Sequence, residues 1–152
     1  MNLFATVNHG LHLMGVLFWV GGTAFEVLMI VPLLKRWGVP SGFLDALSRR
    51  FRSSVNPIIL VVLVTGGINF GVRRAGGEMP TAYITTLGVK VLLVAAMVSL
   101  HFFRGVAISL TEGETASDRL VRDWPGIQYA RMILIIGMTI IFIAAMLRHF
   151  LI

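Results

Sequence analysis

Residues 7–32, VNHGLHLMGVLFWVGGTAFEVLMIVP, form an apolar run long enough to cross a bilayer. In hydrocarbon, backbone N–H and C=O groups are satisfied only inside a helix or a closed barrel. The run shows no strand-like alternation, so it predicts a helix. Steps of three and four residues place His9, His12, Val16, Trp19, Thr23 and Glu26 on one helical face. Polar side chains within a span are costly, and they face a bundle interior or a watery cavity. The stripe is therefore expected to hold a cofactor, or a redox or proton path. The run is not expected to be a signal peptide: no Lys or Arg precedes it and Glu26 lies within it.

Three further runs complete the set, giving spans at about 8–34, 55–72, 82–103 and 127–147. Hydrophobic residues make up 57% of the 152-residue chain and charged ones 13%, with mean hydropathy +0.87. A soluble domain carries about 25% charged residues. The expected fold is all-α: an integral membrane four-helix bundle, one transmembrane domain over 1–152. Loops 35–54 and 104–126 are expected in the cytoplasm, and a short interfacial helix over 43–51 within the first. The net charge of +6 fits basic loops at an anionic membrane face. No nucleic acid is expected, since no basic-aromatic loop or phosphate-binding glycine motif is present. With no cysteine, thiolate metal sites, iron–sulfur clusters and covalent haem attachment are excluded. His, Met, Lys and carboxylates remain as ligands.

Lys35, Arg36, Arg49, Arg50, Arg52, Arg104, Arg119, Arg122 and Arg131 flank the first and third connections, against Arg73, Arg74 and Arg148 on the other side. The positive-inside rule then puts both termini outside the cytoplasm, in a bacterial-type inner membrane. At 1.5 Å rise per residue, Glu26 lies about 21 Å below His12, and His101 about 16 Å below Lys90. Two clusters follow. The outer one gathers His9, His12, Asn69, Lys90 and His149. The inner one gathers Glu26, His101, Arg104 and Arg131. A third-span stripe of Tyr83, Thr86, Lys90, Val94, Met97, His101 and Arg104 faces the same interior.

Each residue has a plain reading beside the functional one. His12 is either an axial haem-iron ligand or a packed histidine bonded to backbone, and His101 divides the same way. Glu26 is either a catalytic group or half of a buried pair with Arg104 or Arg131. Lys90 is a catalytic candidate, or a cation for a porphyrin propionate. Trp19 and His9 lie where a cofactor edge would pass, though Trp19 also suits the core. Met14 and Met97 are fillers or weak iron ligands. Gly66, Gly67 and Gly71 remove bulk for a neighbouring helix or a flat macrocycle.

His12 followed by Trp19, Gly21-Gly22 and Phe25 resembles the first helix of the CopD-like and HemJ-like membrane families. Leu87-Gly88-Val89-Lys90-Val91-Leu92-Leu93 is similar to their third helix, His101 to a later HemJ-type histidine, and Thr65-Gly66 to the end of the second CopD-like helix. The resemblance spans about three helices. It implies a small four-helix bundle and, for the HemJ-like group, a bound haem b, with His12 and Lys90 as key positions. Phe25-Glu26 stands where HemJ-like proteins carry a Pro-Arg pair, and Ala130-Arg131-Met132-Ile133 where they carry Asn-Glu-x-Pro. The expected function is b-type haem redox chemistry: electron transfer, quinol-linked, or a haem-pathway oxidation on a porphyrin as in protoporphyrinogen oxidases. CopD-like copper transport and a structural role in a larger membrane complex or homo-oligomer are the alternatives.

Overall fold

The computed structural model describes residues 3–37, 43–77, 80–110 and 125–150. Within them α1 (Leu3–Phe25) runs through one π-helical turn, Glu26–Ile30, into α2 (Val31–Trp37). Then come α3 (Phe43–Ala75), α4 (Thr81–Leu110) and α5 (Pro125–Phe150). The described residues hold four spans long and apolar enough to cross a membrane: Leu3–Trp37, Ala46–Ala75, Thr81–Ala107 and Gly126–Met146. The fold is an all-α four-helix bundle, with no strand among the described residues.

The pairing is uneven. α1 lies along α3, α4 lies along α5, and α1 also touches α5, which joins the two pairs. α3 and α4 touch sparsely. At the turn between them the Arg73 guanidinium sits 4.5 Å over the Tyr83 ring. At their other end Asn56 bonds His101 and Phe51 lies under Arg104.

The core is small because most apolar side chains face outward, as lipid solvation demands. Trp19, Val20, Val55, Ile59, Met97 and Ile133 form the buried cluster, with Val55 fully enclosed. Two glycines set the helix spacing. A Cβ at Gly15 would meet Val62 Cγ2 at 2.6 Å, and one at Gly137 would meet Val20 Cγ2 at 2.8 Å. Without side chains there, α1 sits against α3, and α5 against α1, closely enough for dispersion contacts to hold them.

The first correction concerns the connection at 35–54. No separate interfacial helix precedes the second span: Phe43–Ala75 is one continuous helix, with Pro57 inside it. Hydropathy marks where the bilayer ends, not where the helix ends. The polar stretch Ser48–Ser54 contains no strong breaker, and Pro57 removes only its own donor and crowds one carbonyl. Likewise α4 continues past 103 to Leu110, so the start of the expected loop 104–126 is helical. The remainder of that loop, 111–124, lies outside the described residues.

The π turn is the second difference. On an uninterrupted α-helix Ile30 would follow Trp19, Thr23 and Glu26 on the buried face. Here Val31 is buried and Ile30 is only half-buried. One extra residue in the turn shifts the register by one, as π turns do, often at functional positions.

Candidate functional site

The two expected polar clusters are both present as groups of packed side chains, with partly different members. The outer one is built on α1 and α3. His12 is half-buried, and its Nδ1 lies 3.1 Å from Val62 O and 3.0 Å from Thr65 Oγ1. The Thr65 hydroxyl donates to Val61 O at 2.6 Å, so its oxygen has lone pairs to offer. A carbonyl only accepts, so Nδ1 carries the proton and donates. In the neutral imidazole Nε2 is then the bare nitrogen. Gly66 makes room for the ring: a Cβ there would meet His12 Cε1 at 3.2 Å.

One turn nearer the N-terminus, the buried Asn8 donates from Nδ2 to Thr65 O at 3.0 Å and to Asn69 Oδ1 at 2.9 Å. Asn8, His12, Thr65 and Asn69 thus form one hydrogen-bonded seam between α1 and α3. Lys90 is half-buried on α4. His9 is exposed, one position off the buried face. The side chain of His149 lies outside the described residues. Sequence reasoning named Asn69 but missed Asn8. The signal was there, since Asn8 precedes His12 by four residues and shares its face.

The inner cluster lies where α1, α3 and α4 converge. Glu26 accepts from the Arg104 Nη2 in a buried ion pair. His101, 2% exposed, directs Nε2 at Asn56 Oδ1 at 3.0 Å and meets the Trp19 ring edge-on, with centroids 6.1 Å apart. Since the amide oxygen accepts, Nε2 donates and Nδ1 is bare. The Arg104 guanidinium, on a residue 4% exposed, lies 5.7 Å from the Phe51 ring centroid. Arg131 is exposed and takes no part, which settles the two expected partners of Glu26 in favour of Arg104. The reason is register: Arg104 continues the buried stripe Met97–His101 at steps of four and three, whereas Arg131 lies one residue past the buried Ala130.

Around the inner cluster a cavity of about 10 Å³ is lined by Ser48, Phe51, Arg52, His101, Arg104 and Gly105. That is room for one water. Pockets for drug-sized ligands run to about 300–1,000 Å³. The cavity beside His101 is thus the size of a water and not of a porphyrin. Four buried polar atoms here have no partner: Trp19 Nε1, Glu26 Oε2, His101 Nδ1 and Arg104 Nε. Trp19 itself is core, wedged among Val20, Val55 and Ile133. Met97 is buried in the same cluster, and Met14 is exposed. No group of three metal-ligating side chains (His, Asp or Glu) is present among the described residues.

The stripe on α1 therefore serves two separate sites, one at each end of the bundle. The chain matches no family model, no curated protein and no solved structure.

Proposed function

We propose that the chain is a membrane redox protein that holds one haem b at its outer site through His12 Nε2. The observation that carries this reading is the fixed tautomer of His12. An imidazole that ligates iron needs its other nitrogen to donate to a carbonyl or similar acceptor, which orients the ring and raises its basicity. Val62 O and Thr65 Oγ1 do this at Nδ1, and Nε2 is left bare.

Two further features support a flat, anionic cofactor. α3 and α4 touch only sparsely, so a flat group entering between them would displace few contacts. Lys90, half-buried on α4, offers an amine that a propionate would pair with. A bound haem would supply one-electron redox chemistry. The chain's own residues then orient and balance it: Val62 and Thr65 hold the ring of His12, Gly66 gives that ring space, and Lys90 holds the opposing charge. Glu26, the other catalytic candidate, is committed to Arg104 and is assigned a structural role. His101 is assigned to the inner hydrogen-bond network. The electron partner is taken to be of the quinol class, from the lipid phase. By the distribution of basic residues, the His12 end faces away from the cytoplasm.

The test is the visible spectrum of the purified protein before and after dithionite. A b-type α-band in the wild type that His12→Ala abolishes and His101→Ala keeps is the expected result. A colourless preparation that cannot be loaded with hemin sinks the reading. Copper transport uses the same imidazole, so Cu(I) binding lost in His12→Ala, without a haem spectrum, would turn the assignment to a copper carrier.

A further inference from the structure

At the inner end of the bundle, charge and cavity shape point to a ligand unrelated to the outer site. Glu26 and Arg104 neutralise one another. Arg52, half-buried on α3, adds a positive charge that has no carboxylate partner among the described residues. The absent side chain of Gly105 leaves room for it: a Cβ there would lie only 2.5 Å from Arg52 Nη1. The guanidinium thus rests on the backbone of α4. It lines the cavity of about 10 Å³ together with Ser48 and with Arg104, whose buried Nε–H has no acceptor. The site has an unspent donor, a spare cation and a volume that accepts one oxygen atom.

Phe51 is a wall of this cavity and also of a second, larger one. The second is a cleft of about 320 Å³ along the π turn, lined by Phe18, Gly22, Phe25, Glu26, Leu47 and Phe51 among others. The Glu26 carboxylate is turned away into its ion pair, and Oε2 is buried, so the exposed cleft wall is apolar. Such a cleft suits a hydrocarbon chain.

We propose that this end of the bundle binds one anionic phospholipid. One phosphoryl oxygen enters the small cavity against Arg104 Nε–H and Arg52, and the rest of the phosphate lies over the half-exposed Arg52. One acyl chain lies in the cleft on the other side of Phe51. A phosphodiester carries one negative charge, which matches the single excess positive charge of Glu26, Arg104 and Arg52 taken together. Arginine is suited to this role because its planar fork matches phosphate geometry. Basic pockets between membrane helices bind headgroups in this manner.

The experiment is thermal unfolding of the delipidated, detergent-solubilised protein with added dioleoylphosphatidylglycerol, dioleoylphosphatidylcholine or inorganic phosphate. Phosphatidylglycerol should raise the midpoint at concentrations where phosphatidylcholine does not, and inorganic phosphate alone should do little. Arg52→Gln should weaken the phosphatidylglycerol response by about fivefold, on the scale of one surface arginine. Arg74→Gln, at the opposite end, should leave it intact. Native mass spectrometry of the wild type in mixed lipid, which needs no variant, should show preferential retention of one phosphatidylglycerol. Equal responses to the two lipids overturn the proposal. So does a full response to inorganic phosphate, which would mean a soluble-anion site, or no response to any addition, which would leave water as the occupant. Undiminished selectivity in Arg52→Gln also counts against it.

Discussion

The bare Nε2 of His12 depends on partners 50 and 53 residues away in sequence, the Val62 carbonyl and the Thr65 hydroxyl. Thr65→Val removes the hydroxyl and leaves only Val62 O. Losing such a supporting bond typically costs 10–100-fold in metal affinity. On the haem reading, hemin titration of the apo-protein should show about tenfold weaker binding in Thr65→Val, with the fold retained. Glu26 makes a different prediction. Replacing it with Ala leaves Arg104 buried and uncompensated, which costs about 3–5 kcal/mol. A marked drop in the unfolding midpoint in detergent is expected. The double variant Glu26→Leu, Arg104→Leu should recover most of it, because removing both charges also removes the desolvation cost. A double variant as unstable as Glu26→Ala would show that the pair does more than balance charge.

At the scale of elements, the π turn explains how α1 and α2 share one buried face despite the extra residue. Leu28 lies within the turn and is largely exposed. Deleting it should restore regular α register, because Val31 then falls where Ile30 would otherwise sit on the buried face. The deletion is therefore expected to fold, with a midpoint close to wild type. Inserting an alanine after Met29 instead rotates α2 by about a further 100° and should destabilise. The two variants, compared by circular dichroism and thermal unfolding, test whether the turn is a register device. If the deletion alone fails to fold, the turn is needed for packing in its own right. The helix spacing offers a second check. Gly137→Leu forces a side chain into Val20, where even a Cβ meets Cγ2 at 2.8 Å. It should cost about 1–3 kcal/mol, the usual range for overpacking.

At the scale of the whole molecule, the absence of cysteine makes orientation directly measurable. Single cysteines at Arg50 and at Arg74 lie at opposite ends of α3. The positive-inside expectation is that a membrane-impermeant maleimide labels the Arg74→Cys protein in intact cells and the Arg50→Cys protein only after lysis. The reverse pattern would place the His12 end in the cytoplasm and overturn the orientation. Four spans, the all-α fold and the inward stripe of α4 were legible in the chain itself. Bilayer thickness sets a minimum apolar length, and a helix returns to the same face every three to four residues, so composition and spacing are enough. The Glu26–Arg104 pair was legible as one of two options, because charge alone cannot choose between two arginines. Spacing could not reveal the continuation of α3 through 43–54, since a helix leaving the bilayer changes its solvent and not its hydrogen bonding. Nor could it show which nitrogen of His12 is free, because Val62 and Thr65 sit on another helix. Hydrophobic length and periodicity are local properties, and they determined the membrane helices. The tautomer of His12, the partner of Arg104 and the two cavities around Phe51 arise only where separate helices meet, and tertiary packing alone decided them.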